Sequence, residues 1–328
     1  MTNSMTRKST MVSLECVEVP VKGRPVRVPS ACVHGRTVIA TGKWIKTAAV
    51  MDEELTDGET VADPESFLSQ LERTDLKADL FTFAQKLPGV APRHTYHLEW
   101  DNAAVVPIIS FADWWENRAD SSVRKAVRRA KREGVVVRLA DFDDTCVEGI
   151  RRIYNESPVR QGKAFWHYQK DFETVKRENS TYSERSAFIG AYLNDELIGF
   201  IRMIYAGTAA ITLQVISQKK HNDKKTTNAL IAKAVEVCAL KGTSHLVYGQ
   251  YVYRDRNSSL TEFKRRNGFE QALLPRYYIP LTAKGRVALK LNLHHPLASR
   301  IPAPLLAELR KMRGFLHRRK AQLSSEAS

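Results

Sequence analysis

Three apolar segments that follow one another almost without connecting chain are the strongest constraint on how this sequence can fold. They occupy residues 187–193, 196–205 and 209–217. The first connection is Asn194-Asp195, a pair that tolerates the positive φ of a two-residue hairpin turn. Ala206-Gly207 lies in the second connection. The sequence therefore predicts an antiparallel meander of three strands.

The chain after this meander alternates between helix and strand. A helix is predicted over residues 226–241, with Gly242 ending it. A short strand at 245–249, a helix at 258–268 and strands at 269–274 and 276–282 follow. Ser259 and Glu262 have the spacing of a capping box for the second helix. The apolar face of the first helix consists of Ile231, Ala234, Val235 and Cys238.

The chain before the meander carries a basic helix, a strand and two further helices. The stretch SSVRKAVRRAKREGVVVR, residues 121–138, has apolar residues at helical spacing and a glycine, Gly134, that ends the helix. Strand 135–139 and helices near 144–156 and 169–178 come next. Further upstream, Asp63-Pro64 favours the start of a helix near 64–73. Short strands are predicted there at 36–42, 43–50, 94–100 and 104–109.

Length and composition favour a cytoplasmic protein of about two domains. The chain has 328 residues, of which 43% are hydrophobic and 27% are charged. No apolar run reaches the ~18 residues that span a bilayer, and the N-terminus has no apolar signal core. The four cysteines form no C-x-x-C pair. The sequence therefore predicts neither a zinc nor a redox motif, and no bound metal.

The net charge of +15 is concentrated in two places. Residues 118–138 carry +6 and residues 283–328 carry +8. The first patch is either a solvated helix face or a contact for tRNA, in which Arg124, Arg128, Arg129 and Arg132 would bind phosphates. Residues 302–320 of the second are predicted to form a basic amphipathic helix, which either docks on the body or makes a peripheral contact with the inner face of a membrane.

The order of elements from Gly134 onward resembles the fold of GNAT acyltransferases. Two stretches, VRKAVRRAKREGVVVR (123–138) and LTEFKRRNGF (260–269), resemble segments of the Fem-type peptidoglycan aminoacyltransferases, and TNALIAKAVEVCALKG (227–242) is similar to the helix after the central GNAT strand. The resemblance implies an α/β (α+β) protein with two GNAT-like halves and mixed, mostly antiparallel sheets flanked by helices. The implied limits are a degenerate half at 1–120, an acyltransferase half at 121–282 and a helical tail at 283–328.

The resemblance also indicates where a donor would bind, although one motif departs from the pattern. Members that use acetyl-CoA hold its pyrophosphate with a glycine-rich loop, whereas residues 219–225 read KKHNDKK here. Fem-type enzymes use aminoacyl-tRNA, so acyl-CoA and aminoacyl-tRNA both stay open as donors, with no permanently bound cofactor. Either the junction is a solvated loop, or its lysines bind an anion. The implied donor-binding residues are Gln214 and Val215 on the central strand, Lys224 and Lys225 at the junction, and Thr227 and Asn228 in the helix.

The remaining site residues come from the same resemblance. Lys264 would neutralise negative charge on the reacting carbonyl, beside Phe263, which would contact the substrate. His167, Tyr168 and Tyr251 are candidates for general acid or base, with a packed aromatic cluster as the alternative. Arg160 and Arg254 would contact the acceptor, with a polar surface loop as the alternative for Arg254.

These expectations give two hypotheses from different classes. The first is an N-acyltransferase that moves an acyl or aminoacyl group to an amine on a small molecule or lipid-linked acceptor, such as a cell-envelope or polysaccharide precursor. No G-x-S-x-G motif is present, which agrees with direct transfer rather than a serine nucleophile. The second hypothesis is a non-catalytic RNA-binding or membrane-surface protein that keeps the fold.

Overall fold

One large sheet organises the protein in the computed structural model, which describes residues 15–21, 24–160, 162–253 and 258–295. The predicted tail helix at 302–320 and the candidate Arg254 lie outside the described residues. The sheet has twelve strands, and a separate ribbon has two. No helix in the described ranges is both long enough and apolar enough to cross a bilayer.

The strands are numbered in chain order. They are β1 (Glu15–Val21), β2 (Arg24–Val33), β3 (Arg36–Thr41), β4 (Thr47–Val50), β5 (Leu80–Ala84), β6 (His97–Pro107), β7 (Val136–Ala140), β8 (Val159–Arg160), β9 (Lys163–Ala164), β10 (Ser186–Leu193), β11 (Glu196–Ala206), β12 (Ala209–Ser217), β13 (His245–Val247) and β14 (Glu270–Pro280).

The helices lie between them. They are α1 (Pro64–Glu72), α2 (Phe111–Asp113), α3 (Ser121–Arg132), α4 (Asp144–Tyr154), α5 (Phe172–Asn179), α6 (Thr226–Leu240), α7 (Ser259–Arg266) and α8 (Ala283–Lys290). A π turn (Trp114–Arg118) continues α2, and 3-10 turns occur at Glu53–Leu55, Ser183–Arg185 and Lys219–Lys224.

The two parts of the sheet, one on each side of the neighbouring strands β14 and β6, share one arrangement: a run of antiparallel strands and a single parallel pair. Across the sheet the order is β1-β2-β3-β4-β5-β14-β6-β13-β12-β11-β10-β7. Neighbours are antiparallel except for two pairs, β4 with β5 and β12 with β13. In each parallel pair the chain crosses between the strands through a helix, α1 in the first and α6 in the second.

The two parts exchange strands at the centre of the sheet. Strand β14, from late in the chain, lies between β5 and β6, and β6 lies between β14 and β13. The pairing of β14 with β6 runs from Glu270 opposite Val105 to Tyr278 opposite His97. This exchange joins the parts through backbone hydrogen bonds rather than through side chains alone.

Helices cover both faces of the later part of the sheet. On one face, Ile189 and Ile201 pack with α3 and α6 in a single core cluster. On the other, Phe188 and Phe200 pack with α4 and α5. Because successive strand residues point to opposite faces, the apolar residues on both sides of β10 and β11 are explained by this double cover.

The predicted fold class, a mixed α/β protein with a mostly antiparallel sheet flanked by helices, is confirmed. The predicted meander is β10, β11 and β12, and the cap at Asp63 accepts a hydrogen bond from the Ser66 amide. Two details differ. Segments 94–100 and 104–109 form the single strand β6, and segments 269–274 and 276–282 form the single strand β14.

The predicted capping box of α7 is also wrong by one residue. Ser258, not Ser259, is the N-cap, and its side chain accepts a hydrogen bond from the Thr261 amide. The cap must have an extended backbone before the helix begins, and Ser258 has it, with φ −64° and ψ 147°.

Candidate active site at the parting of two strands

The parallel strands β12 and β13 part near the middle of the later half of the sheet. Their pairing ends at Ile211 opposite Val247, although β12 continues to Ser217. Beyond that point β12 is irregular, because Leu213 is an extra residue in its pairing with β11. The chain after β13 turns away from β12 and toward β6, where the Tyr248 amide donates to the carbonyl of Ala104 at 2.8 Å. The result is a gap between two strands that begins in the sheet and opens toward the start of α6.

Helix α6 begins at this gap in an unusual way. The other seven α-helices in the described part of the chain each begin with an Asp, Ser or Thr whose side chain accepts a backbone amide hydrogen bond. The residue before α6 is Lys225, which makes no side-chain cap. Its backbone is left-handed, with φ 58° and ψ 31°, a conformation that favours glycine. The backbone here therefore takes a shape typical of a glycine-rich turn, while the side chain is a cation.

Most of the lysines at this junction have partners. Lys224 Nζ is 3.3 Å from Glu133 Oε2, and Lys220 Nζ is 3.4 Å from Glu196 Oε1. Both pairs are partly exposed, so each contributes little to stability, about 0–1 kcal/mol. Lys225 is exposed at the helix start. An anion arriving here would meet Lys225 directly, and would have to compete with Glu133 for Lys224.

Lys264 lies on the other side of the gap and is fully buried, with 0% of its surface exposed. Its Nζ donates to the carbonyl of Tyr248 at 2.7 Å and also to the carbonyl of Gln250. The same ammonium lies 4.5 Å from the ring centroid of Tyr248 and 4.9 Å from that of Tyr253. Because a lysine ammonium has three N–H donors, two bonds to carbonyls leave one donor for another group.

Burial lowers the pKa of Lys264 to about 8, because the charged form loses water. That value still leaves the ammonium predominant at neutral pH. A buried cation can stabilise negative charge that develops on a carbonyl oxygen placed next to it. Lys264 is therefore not a solvated lysine on the surface of α7 beside Arg265 and Arg266.

A second polar cluster lies along β12 itself. The hydroxyl of Tyr154, at the end of α4, donates to Gln214 Oε1 at 2.6 Å. The imidazole of His167 stacks on the Tyr154 ring with centroids 4.3 Å apart. Burial raises the pKa of Tyr154 to about 12, so its hydroxyl stays protonated and acts as a donor. This hydrogen bond fixes the Gln214 side chain next to the extra residue, Leu213, in β12.

His167 is buried and electrostatically unsuited to accept a proton. Burial, followed by the charges of Lys170 and Arg160, lowers the pKa of His167 to about 3. Lys170 Nζ is 3.2 Å from His167 Nδ1 and 2.7 Å from Glu178 Oε1. The imidazole is therefore neutral at physiological pH. Because the Lys170 ammonium can only donate, Nδ1 is assigned as the acceptor and Nε2 carries the proton. That state suits a hydrogen-bond donor better than the general base that the sequence suggested.

Arg160 ties the end of β12 to α4. Its NH1 donates to the carbonyl of Ser217 at 2.8 Å and its NH2 to the carbonyl of Ile153 at 3.0 Å. NH2 also pairs with Glu156 at 3.2 Å, and the guanidinium lies over the Phe165 ring at 4.9 Å. These contacts hold the strand end in place and occupy most of the donors that an acceptor phosphate would need.

The first turn of α6 connects the two clusters. Thr227 Oγ1 is 3.0 Å from Ser217 Oγ at the end of β12. Asn228 Nδ2 is 3.3 Å from Oδ1 of Asn267, the residue that ends the helix carrying Lys264. The structure therefore brings Gln214, Arg160 and Thr227 into one connected set, and Asn228 links that set to the end of α7.

The other predicted residues have less specific surroundings. Val215 and Phe263 are partly buried against the core cluster that contains α6, as is Tyr251. The carbonyl of Tyr251 accepts a bond from Thr261 Oγ1 at 3.3 Å. Tyr168 is half-buried, and its amide donates to the carbonyl of Phe165. These contacts give no specific role to Tyr168 or Tyr251.

Three important residues of the site were not predicted. Tyr154 looks like an ordinary apolar position at a helix end, and Tyr248 like the end of a short strand. Glu133, the partner of Lys224, sits at the end of the distant basic helix α3. A tyrosine at a buried helical position was the one available signal, since a buried hydroxyl requires a partner.

The basic face of α3 is divided between internal and external roles. Arg124 NH1 donates to the carbonyls of Trp115 and Ala119, and Arg129 Nε pairs with Glu133 at 2.6 Å. Arg128 and Arg132 are exposed. About half of the predicted phosphate-binding arginines are therefore already used within the fold.

A cleft of about 580 Å³ lies away from these residues. It is lined by β7, β10, the end of α6 and neighbouring loops, with Phe142, Tyr205 and Lys241 among its residues. None of the predicted site residues within the described ranges lines it. Cleft volume alone would therefore not have located the parted strands.

Solved structures with the same architecture were found by comparison of folds. L-PGS from Bacillus licheniformis superposes with a TM-score of 0.55, at 16% identity over 80% of this chain and 88% of that one. FemX superposes with a TM-score of 0.53, at 11% identity over 82% of this chain and 89% of that one. The chain has a GNAT-like fold of the Fem type.

A further GNAT-like neighbour agrees with this result. It is the C-terminal DUF2156 domain of an Agrobacterium fabrum protein described as a lysylphosphatidylglycerol synthetase, with a TM-score of 0.51 at 11% identity over 80% of this chain and 87% of that one. The sequence matches no protein-family model and no curated protein. The resemblance to the Fem-type fold, which the sequence motifs indicated, is confirmed by the structures.

Proposed function

We propose that this protein is an acyltransferase that moves an acyl or aminoacyl group from a carrier to an amine. The observation that supports this most directly is the gap between β12 and β13 with the buried Lys264 beside it. In this proposal the reacting carbonyl enters the gap beside the irregular strand at Gln214, and Lys264 supplies the N–H that it does not donate to the carbonyls of Tyr248 and Gln250. The Fem-type fold supports the same class of reaction.

The reaction needs little from the protein beyond positioning and charge stabilisation. The amine nitrogen bonds to the carbonyl carbon, and the bond from that carbon to the carrier oxygen or sulfur breaks. A proton from the amine ends on the carrier. In this proposal Lys264 stabilises the oxygen that becomes negative, and neutral His167 donates through Nε2. No protein nucleophile is required.

The carrier would be held at the start of α6. The exposed Lys225 and the uncapped helix start suit a phosphate group. Both acyl-CoA and aminoacyl-tRNA carry phosphates, so this geometry is compatible with either. One neighbour is named for a product in which an aminoacyl group, lysyl, is attached to a lipid. That name favours testing aminoacyl donors and lipid-linked acceptors first.

The test is transfer measured by mass spectrometry. The full chain is incubated with a panel of acyl-CoA thioesters and charged tRNAs, together with amine-bearing envelope precursors and aminolipids. Wild type should form an amide product with at least one donor class. Lys264→Met should reduce turnover about 10²- to 10³-fold, the usual effect of removing one such donor.

A matched control separates chemistry from general effects of losing a lysine. Lys241 also lies over a tyrosine ring, 4.4 Å from that of Tyr205, but is exposed. Lys241→Met should retain full turnover. Lack of product with every donor would refute the proposal and favour the competing hypothesis, a non-catalytic binder of RNA or membrane surfaces. Product formed equally well by Lys264→Met would remove Lys264 from the mechanism.

A further inference from the structure

Three imidazole nitrogens converge on one carboxylate oxygen at the centre of the sheet. The Nε2 atoms of His97, His294 and His295 lie 3.5, 2.7 and 3.0 Å from Oε1 of Glu99. His97 and Glu99 are alternate residues of β6, so they share a face of the strand. The two adjacent histidines follow helix α8.

Hydrogen bonding alone explains this arrangement poorly. A carboxylate oxygen has about two lone-pair sites, which the hydrogen bonds from His294 and His295 already fill, and His97 Nε2 approaches the same atom at 3.5 Å without a site left for it. The His294 ring is almost completely buried, with 1% of its side chain exposed, and its Nδ1 has no hydrogen-bond partner among the residues that the structure describes. Buried polar atoms normally have a partner, so the cluster is under-satisfied at one atom and crowded at another.

We propose that His97, Glu99 and His294 bind a divalent transition metal ion of the zinc class, with His295 as the fourth ligand. The candidate ligand atoms of the first three lie within 4.8 Å of one another. Zinc bonds of about 2.0–2.2 Å place tetrahedral ligand atoms roughly 3.3 Å apart. The observed separations from Glu99 Oε1, 2.7 to 3.5 Å, straddle that value. His295 is not part of the group whose ligand atoms all lie within 4.8 Å, so its ring must move from the 3.0 Å contact with Glu99 to become the fourth ligand.

The chemistry of the ligands selects the class of ion. Imidazole nitrogens with one carboxylate suit zinc, copper or nickel, whereas magnesium and calcium prefer oxygen ligands. Four protein ligands leave no open position, which is typical of a structural site. The ion would fasten the chain after α8 to the exchanged strand β6. The Tyr278 ring of β14 packs against the His294 ring at 4.8 Å and shields one side of the site.

This site was not predicted from the sequence because its ligands are far apart in the chain. The sequence argument about zinc considered only the cysteines, and no cysteine is among the proposed ligands. His97 and His294 approach each other only because β6 and the segment after α8 meet beside β14. The site is separate from the parted strands, so this inference does not depend on the proposed acyltransferase activity.

The test is metal binding by the untagged full chain after treatment with a chelator. Zn²⁺ is titrated in competition with a chromophoric chelator, and Co²⁺ is used as a spectroscopic probe. The main variant is His97→Asn with His295→Asn, because both side chains are partly exposed, at 40% and 38%, and the fold should tolerate the change. The control is His34→Asn, since His34 is an exposed histidine with φ 48° that asparagine accepts easily.

The expected result is one tight equivalent of Zn²⁺ in wild type and in His34→Asn. The double variant should bind at least about 100-fold more weakly, since losing even outer contacts of a metal site costs 10–100-fold. Bound Co²⁺ should show the visible bands of a tetrahedral ion without a thiolate charge-transfer band. The inference is overturned if wild type takes up neither ion, if the double variant binds as well as wild type, or if a thiolate band assigns the metal to Cys16 or Cys32.

Discussion

Replacing Lys264 with methionine should change how the stability of this protein depends on pH. In wild type the ammonium is fully buried, and burial lowers its pKa to about 8 from a usual 10.5. Between these two pH values the folded state has released the proton while the unfolded state still holds it. Stability rises with pH wherever the unfolded state binds more protons. Wild type should therefore gain stability from pH 8 toward pH 10.5, and the methionine variant should lack this gain.

The magnitude follows from the pKa difference. Each unit corresponds to about 1.4 kcal/mol, so the full contribution to wild type is about 3 kcal/mol over that range. At pH 7 two effects oppose each other in the variant. Removing a buried charge is favourable, whereas the carbonyls of Tyr248 and Gln250 each lose a donor at a cost of about 1–3 kcal/mol. The pH-dependent difference is therefore more informative than the stability at any single pH.

The assay is denaturant unfolding of both proteins from pH 7 to 10. The quantity to plot is the free energy of unfolding of wild type minus that of Lys264→Met, because other titrating groups cancel. Lys241→Met provides the baseline for removing an exposed lysine from a tyrosine ring. A difference that stays flat would refute the argument from burial. A difference that falls with pH would mean that the two carbonyls and two rings favour the ammonium more than burial disfavours it.

Three further substitutions test the site and the fold. Lys225→Gly should raise the free energy of unfolding by up to about 1 kcal/mol in chemical denaturation, because glycine adopts the left-handed backbone without strain. The same variant should bind the phosphate-bearing donor more weakly in a thermal-shift titration. Tyr154→Phe should destabilise the protein by about 0.5–1.5 kcal/mol, since Gln214 Oε1 loses its 2.6 Å partner in a partly buried setting; an unchanged melting temperature would contradict this. Gly285→Ala should cost about 1–3 kcal/mol, because an added Cβ would lie 2.0 Å from the carbonyl oxygen of Asp79, and full retention of stability would show that α8 can shift away.

The local structure of the later half followed from the sequence because its signals are local. Hairpin turns, caps and helical periodicity specify β10 to β12 and α6 within short windows. The central strands were harder to predict from the sequence. Asp101 and Asn102 look like a turn, yet they lie within β6 because Arg276 Nε pairs with Asp101 at 2.6 Å and Asn102 Oδ1 accepts the Val252 amide.

The candidate site was predictable only in part, for a related reason. The resemblance led to Lys264 and Gln214, and both lie beside the parted strands. It could not give their partners, since Tyr154 and Tyr248 are joined to them only by the folded chain. The domain limits near residues 120 and 282 stay predictions, although β14 shows that backbone pairing crosses the first of them.

The position of β14 between β5 and β6 has a consequence for synthesis on the ribosome. The nascent chain presents β5 and β6 long before residues 270–280 emerge, so those two strands cannot reach their final neighbours during most of translation. Each keeps an open edge of unpaired amides and carbonyls in that interval, which is where strands from other chains can add. The earlier half therefore cannot complete its sheet until nearly the whole described chain has been made. The yield of correctly folded protein should depend on how quickly the chain is released from the ribosome and on whether a chaperone binds the open edges in that interval.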